Sequence, residues 1–372
     1  MQYDYLVIGA GLFGAVFAQQ AHEHGKTVLI VEKRNHIGGN CYSYGYEDTG
    51  IVVHAYGTHI FHTSDQRVWE YINRFSRFNR YQHRVLTTHQ GKVYAMPINL
   101  GTINSFFNVN LTPEQARMFL NSRCTSIPSP QNLEEQAISL IGKELYEALI
   151  RGYTRKQWQC DPSELPASII TRLPIRNSFF DSYFDDIYQG IPLAGYTPIF
   201  ERMLSGIPVE LGVDFFKHRE TLSRKARKIV YTGPLDRYFD NSLGRLNWRS
   251  VRFETERLSM SDYQGTSVMN YADEDVPHTR IHEPKHLHLE KPWNPRDTVI
   301  VREYSQIDDD APFYPVNFEA DRRRYAEYSK LQIKEKNVIF GGRLASYKYY
   351  DMHQVIASAL MAAKKELCGS NN

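Results

Sequence analysis

The stretch Tyr5-Leu6-Val7-Ile8-Gly9-Ala10-Gly11-Leu12-Phe13-Gly14 decides the fold. An apolar strand over residues 5–8 runs into a turn carrying Gly9, Gly11 and Gly14, and a helical stretch follows. A second strand over 27–31 ends in Glu32, eighteen positions after the last glycine. This order is the physical layout of a dinucleotide site. Gly9 allows the tight turn, Gly11 lets backbone N–H groups approach a pyrophosphate, and Gly14 lets the helix pack on the strand. The helix N-terminus then faces the phosphates with its partial positive charge, and Glu32 is placed to accept hydrogen bonds from a ribose.

Outward from that turn, 372 residues are too many for one simple core, so two or three subdomains are expected. With 44 basic and 42 acidic residues the net charge is +2, which gives no electrostatic case for nucleic acid or an anionic membrane. Cys41, Cys124, Cys160 and Cys368 form no CxxC pair and no metal-ligand spacing, as expected of a reducing cytoplasm. The first strand begins so early that no signal peptide is expected. No apolar run approaches the ~18 residues of a membrane span. The 25 Tyr, 19 Phe and 4 Trp suit a polar ligand held between rings, besides filling cores.

Residues 51–63 read as a short strand and a glycine-containing loop, 68–78 as a helix, and 84–88 with 92–95 as a hairpin around Gln90-Gly91. Thr112 followed by Pro113 marks a helix start. Apolar spacing predicts one amphipathic helix over 133–150, and the prolines between 159 and 174 predict a long, partly mobile loop. Strands return at 209–211, 228–231, 250–255, 266–271, 298–304 and 338–340, before a helix over 351–367 capped by Asp351. The expected fold is α/β: a discontinuous Rossmann-like domain (1–80, 207–240 and 333–372) with an inserted helical domain (101–185) and an antiparallel β-sheet domain (81–100, 186–206 and 241–332). Its mobile substrate loop would span about 160–178. Such a discontinuous nucleotide domain is more typical of flavin proteins than of nicotinamide dehydrogenases. Gly38-Gly39 after Glu32 also favours FAD by allowing close backbone approach to a long cofactor, and Gly341-Gly342-Arg343 before a helix N-terminus suits the flavin end, where the helix dipole favours electron density.

Ordinary catalytic motifs are absent: there is no GxSxG, HExxH or P-loop lysine. His54, His59 and His62 cluster without a cysteine or carboxylate at ligand spacing, so no metal is expected. Arg155, Arg172, Arg176, Arg249, Arg280 and Arg343 lie in aromatic-rich segments, and arginine suits bidentate phosphate contact. Nothing in their spacing selects among them.

The run 32–40, together with Gly57-Thr58-His59-Ile60-Phe61-His62-Thr63, resembles the bacterial UDP-galactopyranose mutases. So do Gly152-Tyr153-Thr154-Arg155-Lys156-Gln157-Trp158, Tyr188-Gln189-Gly190-Ile191-Pro192, Pro277-His278-Thr279-Arg280-Ile281, Phe313-Tyr314-Pro315-Val316 and residues 342–352. The resemblance covers nearly the whole chain. It implies that Arg172 and Arg280 clamp a diphosphate, that Tyr153, Trp158 and His83 border the uridine and sugar, that Tyr183, Tyr314 and Tyr349 bond phosphate oxygens, and that Asn270 helps hold the nucleotide. Arg343 would sit near flavin and sugar, with His59 and His62 flanking the isoalloxazine. For FAD it implies Gly9, Gly11, Phe13, Gly14, Glu32, Gly39, Asn40, His59, Ile60, Val213, Asp214, Gly342, Arg343, Asp351 and Met352.

The activity so implied interconverts UDP-galactopyranose and UDP-galactofuranose without net redox, through a covalent adduct of the sugar with N5 of reduced FAD. NAD(P)H or another cellular reductant would supply the electrons. The resemblance also implies a cytoplasmic homodimer that supplies galactofuranose to a surface polysaccharide such as an O-antigen. His83, Arg84 and Gln159 depart from the family pattern, which leaves UDP-N-acetylgalactosamine or a dTDP-6-deoxy-sugar as alternative substrates. A flavin amine oxidase and a flavin-free binding protein are the other readings.

Overall fold

The structure is a computed structural model that describes residues 2–172, 175–307 and 311–369, leaving out the side chains of Thr171 and Arg172. Two sheets organise the chain. The parallel sheet runs in the order Val338–Phe340, Ala226–Tyr231, Tyr3–Ile8, Val28–Glu32, Val209–Leu211. Leu6, Val7, Leu29, Ile30 and Val31 are all buried, because elements cover both faces and an alternating pattern would leave polar groups without water. On one face the helices Leu12–Glu23 and Met352–Cys368 pack together through Phe17, Ala18, Ile356 and Ala359. On the other, Phe215, Leu222, Tyr231 and Tyr238 close the core. Each large apolar side chain fully buried there contributes about 1.5–3 kcal/mol. The five strands come from three separate parts of the chain.

The second sheet runs Tyr314–Pro315, Trp248–Leu258, Thr298–Gln306, Arg280–His282, Val268–Tyr271, Val85–His89, Lys92–Met96. It is antiparallel except where Val268–Tyr271 lies parallel to Val85–His89. In its register Arg280 stands directly opposite Glu303 on one side and Asn270 on the other. Side chains opposite one another share a face, so these three form one row.

Between the sheets in sequence lie the helices Leu100–Phe107, Pro113–Arg123, Leu133–Leu145 and Gly152–Trp158. Thr112 starts the second of these with a capping box to Gln115. The single helix expected over 133–150 is broken: Gly142 has φ 79°, and the chain winds on in wider π-type turns over Tyr146–Arg151. A Cβ at Gly142 would stand 3.1 Å from the Arg123 carbonyl oxygen, so glycine lets this segment lie against the neighbouring helix.

The loop expected over 159–174 holds two short 3-10 turns, Pro162–Glu164 and Ala167–Arg172. Leu165 and Ile170 anchor it to the helical core, which prolines alone did not foretell. The helix expected over 68–78 spans only Gln66–Asn73. Residues 186–206, expected with the second sheet, pair instead through Tyr188–Gly190 with Phe61–Thr63. They also bury Ile199, Phe200 and Met203 in the core of the parallel sheet.

Candidate functional site

Three glycine segments meet where the parallel strands end. The Gly38 N–H donates to the Ala10 carbonyl oxygen at 2.9 Å, and a Cβ on Gly39 would stand 3.0 Å from the Gly11 Cα. Side chains are excluded all round: a Cβ on Gly9 would lie 2.3 Å from Thr232 Oγ1, on Gly14 2.1 Å from the Gly9 oxygen, and on Gly341 2.0 Å from the Phe13 ring. The result is a cradle walled by main chain, which a pyrophosphate can approach closely. Glu32 holds its rim, accepting from the Ala10 N–H at 2.8 Å and from the Arg34 N–H at 2.8 Å.

Around that rim Arg34 donates to Asn40 Oδ1 at 3.0 Å and lies over the Tyr56 ring. The Val213 N–H donates to the Glu32 carbonyl oxygen at 2.9 Å, and Asp214 pairs with Arg237 at 3.0 Å. At the opposite end Asp351 caps Met352–Cys368 in a capping box, and Gly342 begins the short helix that carries Arg343. Arg343 Nε donates to the Tyr350 carbonyl oxygen at 3.1 Å.

The row on the second sheet faces the same region. Arg280 donates to the Tyr153 hydroxyl and its Nε lies 3.4 Å from Glu303 Oε1. The other Glu303 oxygen is 3.0 Å from His282 Nε2, and His282 Nδ1 is 2.8 Å from Thr58 Oγ1. Glu303 and His282 are each 2 % exposed. Burial works against the Arg280 charge, and Glu303, Tyr153 and Tyr314 together more than offset it. Burial likewise works against the Glu303 charge, while Arg280 and His282 hold that carboxyl below its usual range. The Tyr153 phenol is pushed up to about 12 by burial. Tyr314 stacks on Tyr349 at 5.3 Å, and Arg343 lies over the Tyr349 ring at 5.3 Å. Asn270 Oδ1 is buried with no hydrogen-bond partner, which is expected where a polar ligand completes the set.

A histidine cluster closes the third side. The Nδ1 of His59 lies 2.7 Å from the Gly57 carbonyl oxygen, which assigns its proton to Nδ1. Burial lowers its pKa to about 4. His62 pairs with Asp186 at 2.6 Å and stacks on Phe184 at 3.6 Å, with the His353 ring edge-on at 4.9 Å. Burial, then the Arg280 charge, lowers His83 to about 3. The Tyr183 N–H donates to the His83 carbonyl oxygen at 2.7 Å, and the two rings meet edge-on.

The structure thus brings Arg280, Arg343, Tyr153, Asn270, Tyr314 and Tyr349 together, with His59, His62, His83 and Tyr183 beside them. Ile60 packs behind them with Ile191 and Leu287. Trp158 ends the Tyr153 helix with its ring on the helical core, and its carbonyl oxygen accepts from Arg249 Nε at 2.5 Å. The Arg172 side chain lies outside the described residues. Glu303, His282, Thr58, Asp186 and Phe184 were not singled out in the sequence. Glu303 alone left a signal, a charge two positions beyond Val301 and so on the same strand face, just after the buried apolar run 299–301. Among the described residues no helix is long and apolar enough to cross a membrane.

Comparison with known proteins accords with this geometry. A family model described as UDP-galactopyranose mutase matches residues 148–349, and one for an NAD(P)-binding Rossmann-like domain matches 7–75. The chain is 42 % identical over 376 residues to a probable UDP-galactopyranose mutase of Klebsiella pneumoniae, covering 99 % of this chain and 96 % of that one. It is 38 % identical to a dTDP-fucopyranose mutase of Escherichia coli, covering 96 % and 97 %. In fold it is similar to a crystal structure of reduced UDP-galactopyranose mutase, with TM-score 0.74 at 13 % identity over 100 % of this chain and 96 % of the other. A putrescine oxidase shares the architecture more loosely, with TM-score 0.58 at 12 % identity over the full length of both. By sequence along its whole length, the chain belongs to the UDP-galactopyranose mutase family.

Proposed function

We propose that this chain binds FAD in the glycine cradle and, with the flavin reduced, interconverts UDP-galactopyranose and UDP-galactofuranose. The observation that carries the reading is the half-buried Arg280, oriented by Tyr153 and Glu303 beside the unpartnered Asn270 Oδ1, facing the same region as the cradle. Cradle and cofactor fit because glycines at 9, 11, 14 and 39 leave main chain without side chains at the strand-end turn, and the close packing at Gly9, Gly14 and Gly341 against Thr232, the Gly9 oxygen and Phe13 holds that turn in place. Bound and reduced, the flavin supplies the nucleophile that the chain's own motifs lack.

Gly9, Gly11, Gly14, Gly39 and Gly342 would present main chain to the cofactor, with Phe13, Ile60, Val213 and Met352 packing along it. Glu32, Asn40 and Asp214 would hold its ribose end, and Asp351, His59 and His62 its ring end. Arg280 and Arg172 would grip the diphosphate, stabilising the leaving UDP while keeping it near for re-addition. Tyr314, Tyr349 and Tyr183 would donate to phosphate oxygens. Tyr153, Trp158, His83 and Asn270 would border the nucleotide and sugar, and Arg343 would stand between sugar and flavin. Neutral His59, with its proton on Nδ1, adds no positive charge beside the ring. A cytoplasmic homodimer, reduced by NAD(P)H or another cellular reductant and feeding a surface polysaccharide such as an O-antigen, belongs to the same reading.

The dTDP-fucopyranose mutase relative supports a second reading, the same ring contraction on a dTDP-6-deoxy-sugar. One experiment separates them. Dithionite-reduced protein is incubated with UDP-galactose, UDP-N-acetylgalactosamine and dTDP-fucose side by side, and the products are resolved by chromatography. Conversion of UDP-galactose by reduced protein only is expected, with loss of turnover but retention of FAD in Arg280→Ala and Arg172→Ala. Conversion of the dTDP sugar alone establishes the second reading, and conversion of none refutes both.

A further inference from the structure

We propose that Lys156 is a positioning residue for this reaction: its ammonium, held by four main-chain carbonyls, locks the turn that leads into Arg280 onto the helix that carries Tyr153. The inference rests on reading Tyr153 and Arg280 as a diphosphate-binding pair.

Lys156 follows Tyr153 by three residues, so both project from one side of the helix Gly152–Trp158. Its Nζ donates to the carbonyl oxygens of Tyr271 at 2.8 Å, Asp273 at 2.7 Å, Val276 at 2.9 Å and His278 at 3.2 Å. The first of these ends the strand Val268–Tyr271, and the other three belong to the connection from it to the strand Arg280–His282. Asn270 and Arg280 sit at the two ends of that connection, opposite each other in the sheet. An ammonium has three donors, so four acceptors around it use every N–H with one shared. Such charge-assisted bonds are about twice as strong as neutral ones.

Two further contacts press the same helix on the same turn. A Cβ at Gly152 would lie 2.3 Å from the Ala272 carbonyl oxygen, so only glycine permits this approach. Arg155 Nη1 pairs with Glu274 at 3.1 Å. Elsewhere the turn borders an open cavity of about 410 Å³, with His89, Arg151 and Asp275 in its lining. Packing is therefore absent on that side, and polar contacts bear the positioning.

The Lys156 charge is itself within reach of titration. Burial lowers its pKa to about 8, against the opposing pull of Asp273, Asp275 and Glu274 on the turn. The other charged groups facing this region are His278 at the end of the turn, Arg302 beside it, His89 paired with Asp273, Arg155 paired with Glu274, and Glu147 and Arg151 across the cavity. His278 is lowered to about 4 and Tyr153 is pushed up to about 12, so neither titrates near pH 8. As pH rises through about 8 the cage loses its cation and one donor, the turn loosens, and Arg280 with Tyr153 loses its set position.

The test uses the reduced FAD holoenzyme with UDP-galactose, measuring kcat and KM from pH 6.5 to 9.5. Wild type, Lys156→Met, Lys156→Arg, Tyr153→Phe and the Lys156→Met/Tyr153→Phe double variant are compared. Wild-type kcat/KM is expected to fall on an alkaline limb near pH 8. Lys156→Met should lose at least tenfold at pH 7, with flavin content unchanged and no such limb. Lys156→Arg stays charged throughout, so it should recover part of the pH 7 activity and also lack the limb. The double variant should be no more than about threefold below the worse single variant. A limb that persists in Lys156→Arg, or losses that simply multiply in the double variant, would overturn the proposal. Where Lys156→Met does not fold, a wild type without the alkaline limb overturns it as well. If Tyr153→Phe and Arg280→Ala both turn over normally, the reading of the site fails instead.

Discussion

Replacing Glu303 by glutamine tests the energetics of the row directly. The carboxylate is 2 % exposed and is the one anionic partner of Arg280 among the described contacts. Removing one member of a buried ion pair costs about 3–5 kcal/mol, and glutamine, which keeps the volume and can still accept hydrogen bonds, falls near the lower figure. A chain of 372 residues unfolds with an entropy of about 0.8 kcal/mol/K, from about 2.1 cal/mol/K per residue, so the expected fall in Tm is about 4 °C. Function should suffer in a particular pattern. Arg280 remains charged without Glu303 and still attracts a diphosphate, so the Kd for UDP should change less than about threefold. Its guanidinium is no longer held from behind, and a misplacement of about 1 Å costs about a hundredfold in rate. The loss should therefore appear in kcat and spare UDP affinity. The assay is steady-state turnover of the reduced enzyme, with UDP titration and a thermal melt on the same preparation. Unchanged kcat and Tm, or a collapse of UDP affinity with kcat preserved, would refute the reasoning.

Gly341→Ala places a methyl group 2.0 Å from the Phe13 ring; the overpacking costs about 1–3 kcal/mol, and the protein should purify without yellow colour, regaining flavin when combined with Phe13→Leu. An unchanged flavin-to-protein ratio in the single variant contradicts the cradle. Acid stability follows from His59 and His83, whose folded pKa values of about 4 and about 3 lie below the unfolded histidine value of about 6.5. Their contribution is complete above about pH 6.5 and is lost as pH falls through the folded values, so Tm should drop steadily between pH 6.5 and 4. A flat profile there disproves it. Gln159 ends its helix with φ 52°, a left-handed conformation that costs a side-chain residue about 1 kcal/mol, so Gln159→Gly should raise the denaturation midpoint in guanidinium. A lower midpoint would show that the bond from its Nε2 to the Lys156 carbonyl oxygen outweighs the strain.

The parallel sheet was legible because its physics is local. Buried strands are short apolar runs, glycines stand where main chain must approach main chain, and Asp351 announces its helix by capping chemistry. The helix break at Gly142 was hidden because the apolar spacing runs straight across it while the reason lies on a neighbouring helix. The placement of 186–206 depends on three residues pairing with a strand more than a hundred positions earlier, which no window along the chain can contain. Arg280 could be named from its motif. Its alignment with Glu303 and Asn270 could not, because register across three strands is a property of the sheet.

The strands of the parallel sheet are drawn from three widely separated parts of the chain, and this sets an order of events during synthesis. Gly9, Gly11 and Gly39 leave the ribosome well before the wall that Gly341 and Gly342 supply, and the helix behind it. A nascent chain therefore carries the nucleotide fingerprint through the roughly 300 residues that separate Gly39 from Gly341 without a closed cradle to hold the ligand. On the proposed FAD reading, cofactor capture waits for residue 341, and a chain that stops short of it should be colourless however well its first domain has begun to fold.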